Sequence, residues 1–143
     1  MVSANANDVL DEFAQELRTL VIDEGWQLHR ETGHADRAFA LRRGGQDLIR
    51  FTAKLSQSSV GFWGLGIQKA ATMIPPAAEY LLLLTASDEG YFISPVRLAA
   101  LIPKFSKDDH DHDYKIGESK VRREVRFRSL EELVDLFKGG LPQ

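Results

Sequence analysis

Two side chains that could act on a phosphate group flank a predicted β-hairpin in the first half of the chain. Asp36 lies at the start of the first strand of this hairpin, predicted over 38–42, and Lys54 lies near the end of its partner strand, residues 47–55. Gly44-Gly45 between them supplies the positive φ angles that a tight two-residue turn needs. A carboxylate and a lysine on adjacent strands can hold a metal ion and a polarised phosphate. The alternative for Lys54 is a surface lysine whose stem packs along the strand.

The elements that position this hairpin are predicted from the spacing of apolar residues. Helical spacing over residues 8–24 predicts an amphipathic helix, and Gly25 stands where a left-handed residue ends it. Residues 26–30 form a short first strand. The run 79–86 is apolar on both faces, which is typical of a central strand between two layers, and 91–94 is predicted to pair with it antiparallel.

Further helices and a strand follow in the second half. Residues 67–74 form a short helix, and Ser94-Pro95 has the residue types that begin another. Apolar residues interleaved with arginines predict a strand over 120–128. A capping-box pattern, a serine followed three positions later by a glutamate, opens the last helix at 129–138. The polar segments between these elements, 56–66 and 106–119, are predicted loops.

The composition fits one globular domain. The chain has 143 residues, of which 43% are hydrophobic, so it can bury a sizeable core. We predict an α/β fold with a mixed β-sheet sandwiched by helices, in a single domain over 1–143. Its core spans about 8–102, and the strand and helix at 120–138 elaborate that core. The absence of cysteine excludes disulfides and thiolate metal sites.

Charge is unevenly distributed along the chain. The net charge of -3 and the pI near 5.8 do not indicate a nucleic-acid binder as a whole. Residues 1–34 are strongly acidic, whereas 36–70 carry mostly basic side chains. A second basic stretch contains Lys120, Arg122, Arg123, Arg126 and Arg128. This segregation is compatible with a local surface that faces phosphate, and ordinary solvated faces are the equal alternative.

The N-terminal residues lack the basic region and apolar core of a signal peptide. The longest apolar run, residues 80–86, is too short to cross a bilayer. These features predict a soluble cytoplasmic protein without a membrane partner.

Two segments carry residue types that bind ligands. Phe62 and Trp63 lie in a Ser- and Gly-rich stretch, where they either fill the core or stack on a nucleic-acid base. The glycines around them do not form a phosphate loop, because no Gly-Lys-Ser/Thr follows. The run from Asp108 to Asp113 contains only carboxylate and imidazole side chains, which bind metals. Consecutive ligands on a flexible loop rarely form a specific site.

The order of elements and the hairpin resemble the core of the PD-(D/E)xK nuclease superfamily, the restriction-endonuclease-like fold, over residues 8–102. In that family an Asp opens the second strand, an acid-x-Lys triplet lies on the third, and a helical Glu often assists. Asp36 matches the strand-opening acid, and Ala53-Lys54 matches the end of the triplet. Glu16 on the first helix is the best match to the helical acid, with Glu12 second. Thr52 departs from the pattern, because it stands where the family has Glu or Gln.

The resemblance implies a site that holds Mg²⁺ and hydrolyses a phosphodiester. Asp36 would be the main metal ligand, with Glu16 acting through water and the Ala53 carbonyl as a further ligand. Lys54 would orient the attacking water or neutralise the developing charge. Thr52 supplies only a neutral hydroxyl, and Mg²⁺ prefers charged oxygens or water. Weak metal binding and slow hydrolysis are therefore expected.

The resemblance also implies a nucleic-acid partner, with DNA favoured over RNA. The side chains expected to contact it are Arg42, Arg43, Arg50, Lys69 and Trp63. Two other classes compete with a nuclease-like domain. One is a nuclease-fold module that has lost catalysis and binds DNA or a protein partner, for which Thr52 is the best evidence. The other is an interaction domain whose basic hairpin is only a solvated face.

Overall fold

A computed structural model of the chain describes residues 6–31, 37–56, 58, 61–108, 110 and 112–140. The helices are α1 (Ala6–Ile22), α2 (Ile67–Ala71), α3 (Pro95–Leu101) and α4 (Leu130–Gly140). The strands are β1 (Gln27–Arg30), β2 (Arg37–Arg43), β3 (Gln46–Leu55), β4 (Phe62–Gly66), β5 (Glu79–Ala86), β6 (Glu89–Ile93), β7 (Ser106–Asp108), β8 (Asp113–Gly117) and β9 (Val125–Phe127). Short 3₁₀ turns cover Ile102–Lys104 and Glu118–Lys120.

A mixed sheet forms the centre of the domain. Within the described residues its six strands have the order β1-β2-β3-β5-β6-β9. β3 and β5 run parallel, whereas the other neighbouring pairs are antiparallel. β4, β8 and β7 form a separate antiparallel sheet. The predicted α/β architecture with a mixed sheet is thus confirmed.

The first face of the central sheet is covered by α1 and α4. Their apolar stripes pack on side chains of β2, β3 and β5 in one continuous core. Phe39 and Phe51 stack with ring centroids 5.2 Å apart, and Phe13 and Phe137 meet Phe51 from the two helices. The prediction that the first and last helices bury their stripes on this sheet is therefore confirmed.

The second face is covered by α2, α3 and the small sheet. Leu81 and Leu83 of β5 belong to this core, whereas Leu82 and Leu84 belong to the first. The alternation explains why β5 is apolar at every central position, because both of its faces are buried. No helix in the described residues is both long and apolar enough to span a membrane.

Glycine permits two tight features of the sheet. Gly44 and Gly45 have φ angles of 59° and 81°, as predicted for the turn between β2 and β3. In β6, a Cβ added at Gly90 would lie 2.3 Å from the carbonyl oxygen of Leu83. A side chain at that position would therefore separate β6 from β5.

The prediction that 56–66 and 106–119 are loops is wrong in part, because these segments contain the strands of the small sheet. Buried residues alternate with charged ones in β8, where Tyr114 and Ile116 face the core. The predicted strand at 120–128 shortens to β9, and Val125 within it is 51% exposed. β4 and β8 are too short to show a clear alternation of apolar and polar residues. The glycines in β4 and the charged residues in β8 are also typical of loops.

Candidate active site and nucleic-acid interface

β3 carries the positions of the predicted acid-x-Lys triplet. Its register with β5 pairs Thr52 with Leu81 and Lys54 with Leu83, and both leucines belong to the second core. Ala53 between them is part of the first core. Thr52 and Lys54 therefore project from the same face of the sheet, as the first and last positions of the triplet must.

Thr52 is enclosed by protein. Its side chain has no exposed surface, and among the described residues its Oγ1 has no hydrogen-bond partner. The neighbouring position on β2 is Ala38, which is also buried. Lys54 is half-buried. The position that the resemblance assigns to an acid thus holds a buried, neutral hydroxyl, two residues before the half-buried Lys54.

Asp36, the predicted main metal ligand, lies outside the described residues. Its place beside Lys54 stays a prediction. Arg37, the residue that follows it, pairs with Ala53 at the start of β2.

Glu16 lies elsewhere, in an open groove of about 620 Å³ between α1 and the start of α4. Glu12, Asp88 and Glu131 also line this groove. Lost hydration and then the Glu12 carboxylate raise the pKa of Glu16 above its ordinary value. α1 packs on the first core, whereas Thr52 faces the second. The structure therefore places Glu16 among other acids and on the opposite side of the sheet from the Thr52 hydroxyl.

The side chains described do not by themselves fit a Mg²⁺ ion. Among them, no group of three or more His, Asp or Glu residues could hold a metal. The polar run that begins at Asp108 is included only in part, since 109 and 111 lie outside the described residues. A buried neutral hydroxyl at Thr52 does not replace a charged oxygen ligand.

Three of the predicted nucleic-acid contacts are paired with acids. Arg42 Nε lies 2.6 Å from Asp47 Oδ1, and Arg50 forms an ion pair with Glu31. Lys69 Nζ lies 2.8 Å from Oε2 of Glu79, although the angles are not those of a hydrogen bond. Arg43 is exposed at the hairpin turn. Acids within the protein therefore offset the charges of Arg42 and Arg50 in the hairpin and of Lys69 in α2.

Trp63 is a core residue, which corrects the prediction that its ring contacts nucleic acid. It has no exposed surface, and its Nε1 donates a hydrogen bond to the Leu84 carbonyl at 3.0 Å. Its ring meets Tyr91 edge-on at a centroid distance of 6.1 Å. A base cannot stack on a ring enclosed in this way.

Sequence reasoning missed a small polar pocket at the end of β3. It measures about 240 Å³, and its lining includes Ser56, Glu89, Glu118 and Arg126. Glu118 accepts a hydrogen bond from the Tyr91 hydroxyl at 3.1 Å. These side chains come from four separate segments, so no spacing in the sequence could have indicated the pocket.

No model of a known protein family matches this sequence, and no curated protein matches it. Among solved structures, the chain is similar to Hjc of Archaeoglobus fulgidus, a Holliday junction resolvase from an archaeal hyperthermophile solved at 1.6 Å resolution. The two share a TM-score of 0.51 and 12% identity, over 88% of this chain and 95% of the resolvase. This chain has a restriction-endonuclease-like fold.

The restriction-endonuclease-like fold accounts for the arrangement seen around the hairpin. The helix–strand–hairpin order from α1 to β3 is the part that the sequence pattern predicts, and the parallel pairing of β3 with β5 is added by the structure. The superfamily resemblance is thereby supported at the level of the fold. At 12% identity the likeness bears on the fold alone and not on the activity.

Proposed function

We propose that this chain is a nuclease-fold domain that binds nucleic acid, with DNA preferred over RNA, and hydrolyses phosphodiesters slowly at most. The observation that supports the proposal is that Thr52 and Lys54 project from one face of β3, with the Thr52 hydroxyl completely buried. In the resemblance, Lys54 would correspond to the lysine of the triplet, and Thr52 would stand in place of its acid. A resolvase as structural neighbour supports DNA as the ligand.

Residual hydrolysis would depend on Asp36 and Lys54. Lys54 would neutralise charge that develops on the scissile phosphate, because an ammonium in a partly dry site stabilises an oxyanion strongly. Asp36, the residue immediately before β2, would supply the charged oxygen that binds the metal ion. Neither Thr52 nor Glu16 adds a second carboxylate at the triplet face, so we expect Mg²⁺ to bind weakly.

A second candidate is a module of the same fold without catalysis, acting through DNA or protein binding. Two observations favour it over an efficient nuclease. The Thr52 hydroxyl is completely buried, and two hairpin arginines, Arg42 and Arg50, are paired with acids. This candidate differs from the first in that no cleavage occurs and in that its partner can be a protein.

Plasmid nicking and gel retention separate these candidates. The wild type, Asp36→Asn and the control Asp23→Asn, at an exposed position after α1, are assayed with Mg²⁺, Mn²⁺ or chelator. We expect DNA retention by all three proteins. Any nicking should need the divalent ion, disappear in Asp36→Asn and persist in Asp23→Asn. Retention without nicking would favour the inactive module. A wild type that retains neither DNA nor RNA would exclude the first candidate and DNA binding by the second, and would leave a module that binds protein.

A further inference from the structure

A cationic groove lies between α3 and the segment that precedes β9. It has a volume of about 710 Å³ and is lined on one wall by Arg97 and Lys104, from α3 and the turn after it. The other wall is the segment 119–124, which contributes Lys120, Arg122 and Arg123. Among the described residues that line it, Glu124 is the one carboxylate. We call these residues the cationic groove.

Arg97 and Glu124 tie the two walls together. Arg97 donates from Nε to Oε1 at 2.8 Å and from Nη2 to Oε2 at 2.7 Å, so the pair is bidentate. These hydrogen bonds lower the pKa of Glu124, and the charge of Lys104 lowers it further. The Glu124 carboxylate thus holds the two walls of the groove together and offsets the charge of Arg97.

The remaining cations are not offset. Within the described part of the chain, no ion pair involves Lys104, Lys120, Arg122 or Arg123, and all four are exposed. The protein as a whole carries a net charge of -3. Four uncompensated cations around one groove are therefore a local reversal of the overall charge, of the kind that attracts a polyanion.

The segment that carries three of these cations is held firmly. Val121 is completely buried in the second core. The Glu118 N–H donates to the Gly61 carbonyl at 2.9 Å, and the Glu118 carboxylate accepts from Tyr91. Because Glu118 and Val121 hold the backbone of this segment in place, ligand binding would restrict only the motion of its cationic side chains.

Arg126, two residues after the groove segment 119–124, lies in the same row of the central sheet as Lys54. The register of the central sheet aligns Lys54, Leu83, Tyr91 and Arg126 across β3, β5, β6 and β9. The guanidinium of Arg126 lies 5.5 Å from the centre of the Tyr91 ring. Three strand spacings of roughly 4.8 Å separate Lys54 from Arg126, which is about 14 Å. That distance corresponds to about four nucleotides of B-form rise.

We propose that the cationic groove binds the sugar-phosphate backbone of nucleic acid and directs the strand towards Lys54. This inference rests on the proposed function and names the surface through which it operates. No aromatic side chain lines the groove among the residues described, so it is suited to phosphates and not to bases. Cations spread over two walls fit a linear polyanion better than a single phosphate ion.

The test compares two triple variants that remove the same number of charges. One is Lys120→Gln with Arg122→Gln and Arg123→Gln in the groove, and the other is Arg42→Gln with Arg43→Gln and Arg50→Gln in the hairpin. Affinity for a fluorescent DNA duplex is measured over a salt series. Each lost phosphate contact should flatten the slope of log K against log salt by about 0.9. We expect the groove triple to flatten it by about 2 to 3 and to weaken binding at least tenfold at low salt.

Two single variants and a folding control complete the experiment. Lys104→Gln, on the opposite wall, should flatten the slope by about 1, whereas Arg18→Gln, exposed on α1, should leave it unchanged. Thermal unfolding checks that the groove triple is folded. We expect it to fold, because the three replaced side chains are exposed.

Three results would overturn the inference. If the hairpin triple loses the slope and the groove triple keeps it, the groove is not the binding surface, and the proposed function stands. If the wild type binds neither DNA nor RNA, both proposals fail. If poly-glutamate binds the wild type as tightly as the duplex and loses affinity in the groove triple, the groove takes acidic polypeptides.

Discussion

Thr52 and Lys54 project from the same face of β3, yet the hydroxyl of the first is completely buried and the second is half-buried. A buried hydroxyl without a hydrogen-bond partner costs free energy of folding. A hydroxyl with no partner among the described residues thus stands where the resembled triplet pattern has an acid, two residues before Lys54.

Replacing Thr52 by valine should therefore stabilise the protein. Valine has nearly the same shape, and it removes a polar atom that has no partner among the described residues. We expect the free energy of unfolding to rise by about 1 kcal/mol in urea denaturation. Thr85→Val is the matched control, because the Thr85 hydroxyl donates to the Glu89 carbonyl at 3.3 Å. A loss of stability in Thr52→Val equal to that of the control would show that the hydroxyl is satisfied.

Replacing Thr52 by glutamate restores the triplet and should couple stability to divalent metal. With chelator present, the buried carboxylate should lower the free energy of unfolding by about 3 kcal/mol. If Asp36 completes the site, Mn²⁺ should return part of that loss and raise any nicking of plasmid DNA. Thr52→Gln is the control, since it has the same size and no charge. Equal responses of the two variants to Mn²⁺ would argue against a metal site at this position.

The fold was predictable wherever burial imposes a period over several residues. α1, α4, the hairpin and β5 each repeat apolar residues for long enough to be recognised. β4 and β8 have five residues each, with two glycines in β4 and charged residues alternating with buried ones in β8, so they resembled loops. Their strand structure depends on pairing with each other, which no local pattern contains.

The site was less predictable than the fold, because side-chain pairing is a property of tertiary structure. The sequence shows the positive charge of Arg42 and Arg50 but not the acids that meet them across the sheet. It likewise shows Thr52 in the triplet but not its complete enclosure. The basic stretch at 120–128 was visible, whereas its apposition to α3 depends on the chain fold.

Substitutions of Trp63 test whether this side chain stabilises the core or contacts nucleic acid. Trp63→Ala should lower the free energy of unfolding by about 3–5 kcal/mol, because a large buried ring is lost. Trp63→Phe should cost less and leave the Leu84 carbonyl without its indole donor. At a temperature where the phenylalanine variant is folded, its affinity for DNA in gel retention should equal that of the wild type. A tenfold loss of affinity in that folded variant would restore Trp63 as a nucleic-acid contact.

The pKa of Glu16 predicts a pH-dependent stability. Its folded pKa lies above the ordinary value of 4.5, so the folded state holds the proton more tightly than the unfolded state. Ionisation of Glu16 therefore costs stability as the pH rises from about 4.5 through the raised pKa. Glu16→Gln should match the wild type below that window. Above it, the variant should be more stable by roughly 0.2–0.5 kcal/mol, the usual size of a like-charge effect one turn apart.

Urea denaturation of both proteins across the acid range measures this difference. The part that comes from Glu12 should shrink at about 1 M salt, where exposed charges are screened. A variant that is less stable than the wild type at neutral pH would contradict the raised pKa and indicate a favourable partner for Glu16.

Lys69 separates a structural lysine from a nucleic-acid contact. Its ammonium lies 2.8 Å from Glu79, whose side chain is 10% exposed, so removing Lys69 leaves a nearly buried carboxylate without its counter-charge. We expect Lys69→Met to lower the free energy of unfolding by about 1–3 kcal/mol. Because Glu79 already offsets this charge, the salt dependence of DNA binding should not change.

The double variant Lys69→Met with Glu79→Gln distinguishes the pair from the packing of the lysine stem. Removing both charges leaves no buried ion, so the double variant should be more stable than Lys69→Met alone. A double variant no more stable than Lys69→Met would assign the loss to packing. If Lys69→Met instead flattens the salt slope by about 0.9, the lysine contacts a phosphate. The lysine would then break its ion pair with Glu79 when DNA binds. The surface around Lys69 on α2 would be a second part of the interface, in addition to the cationic groove.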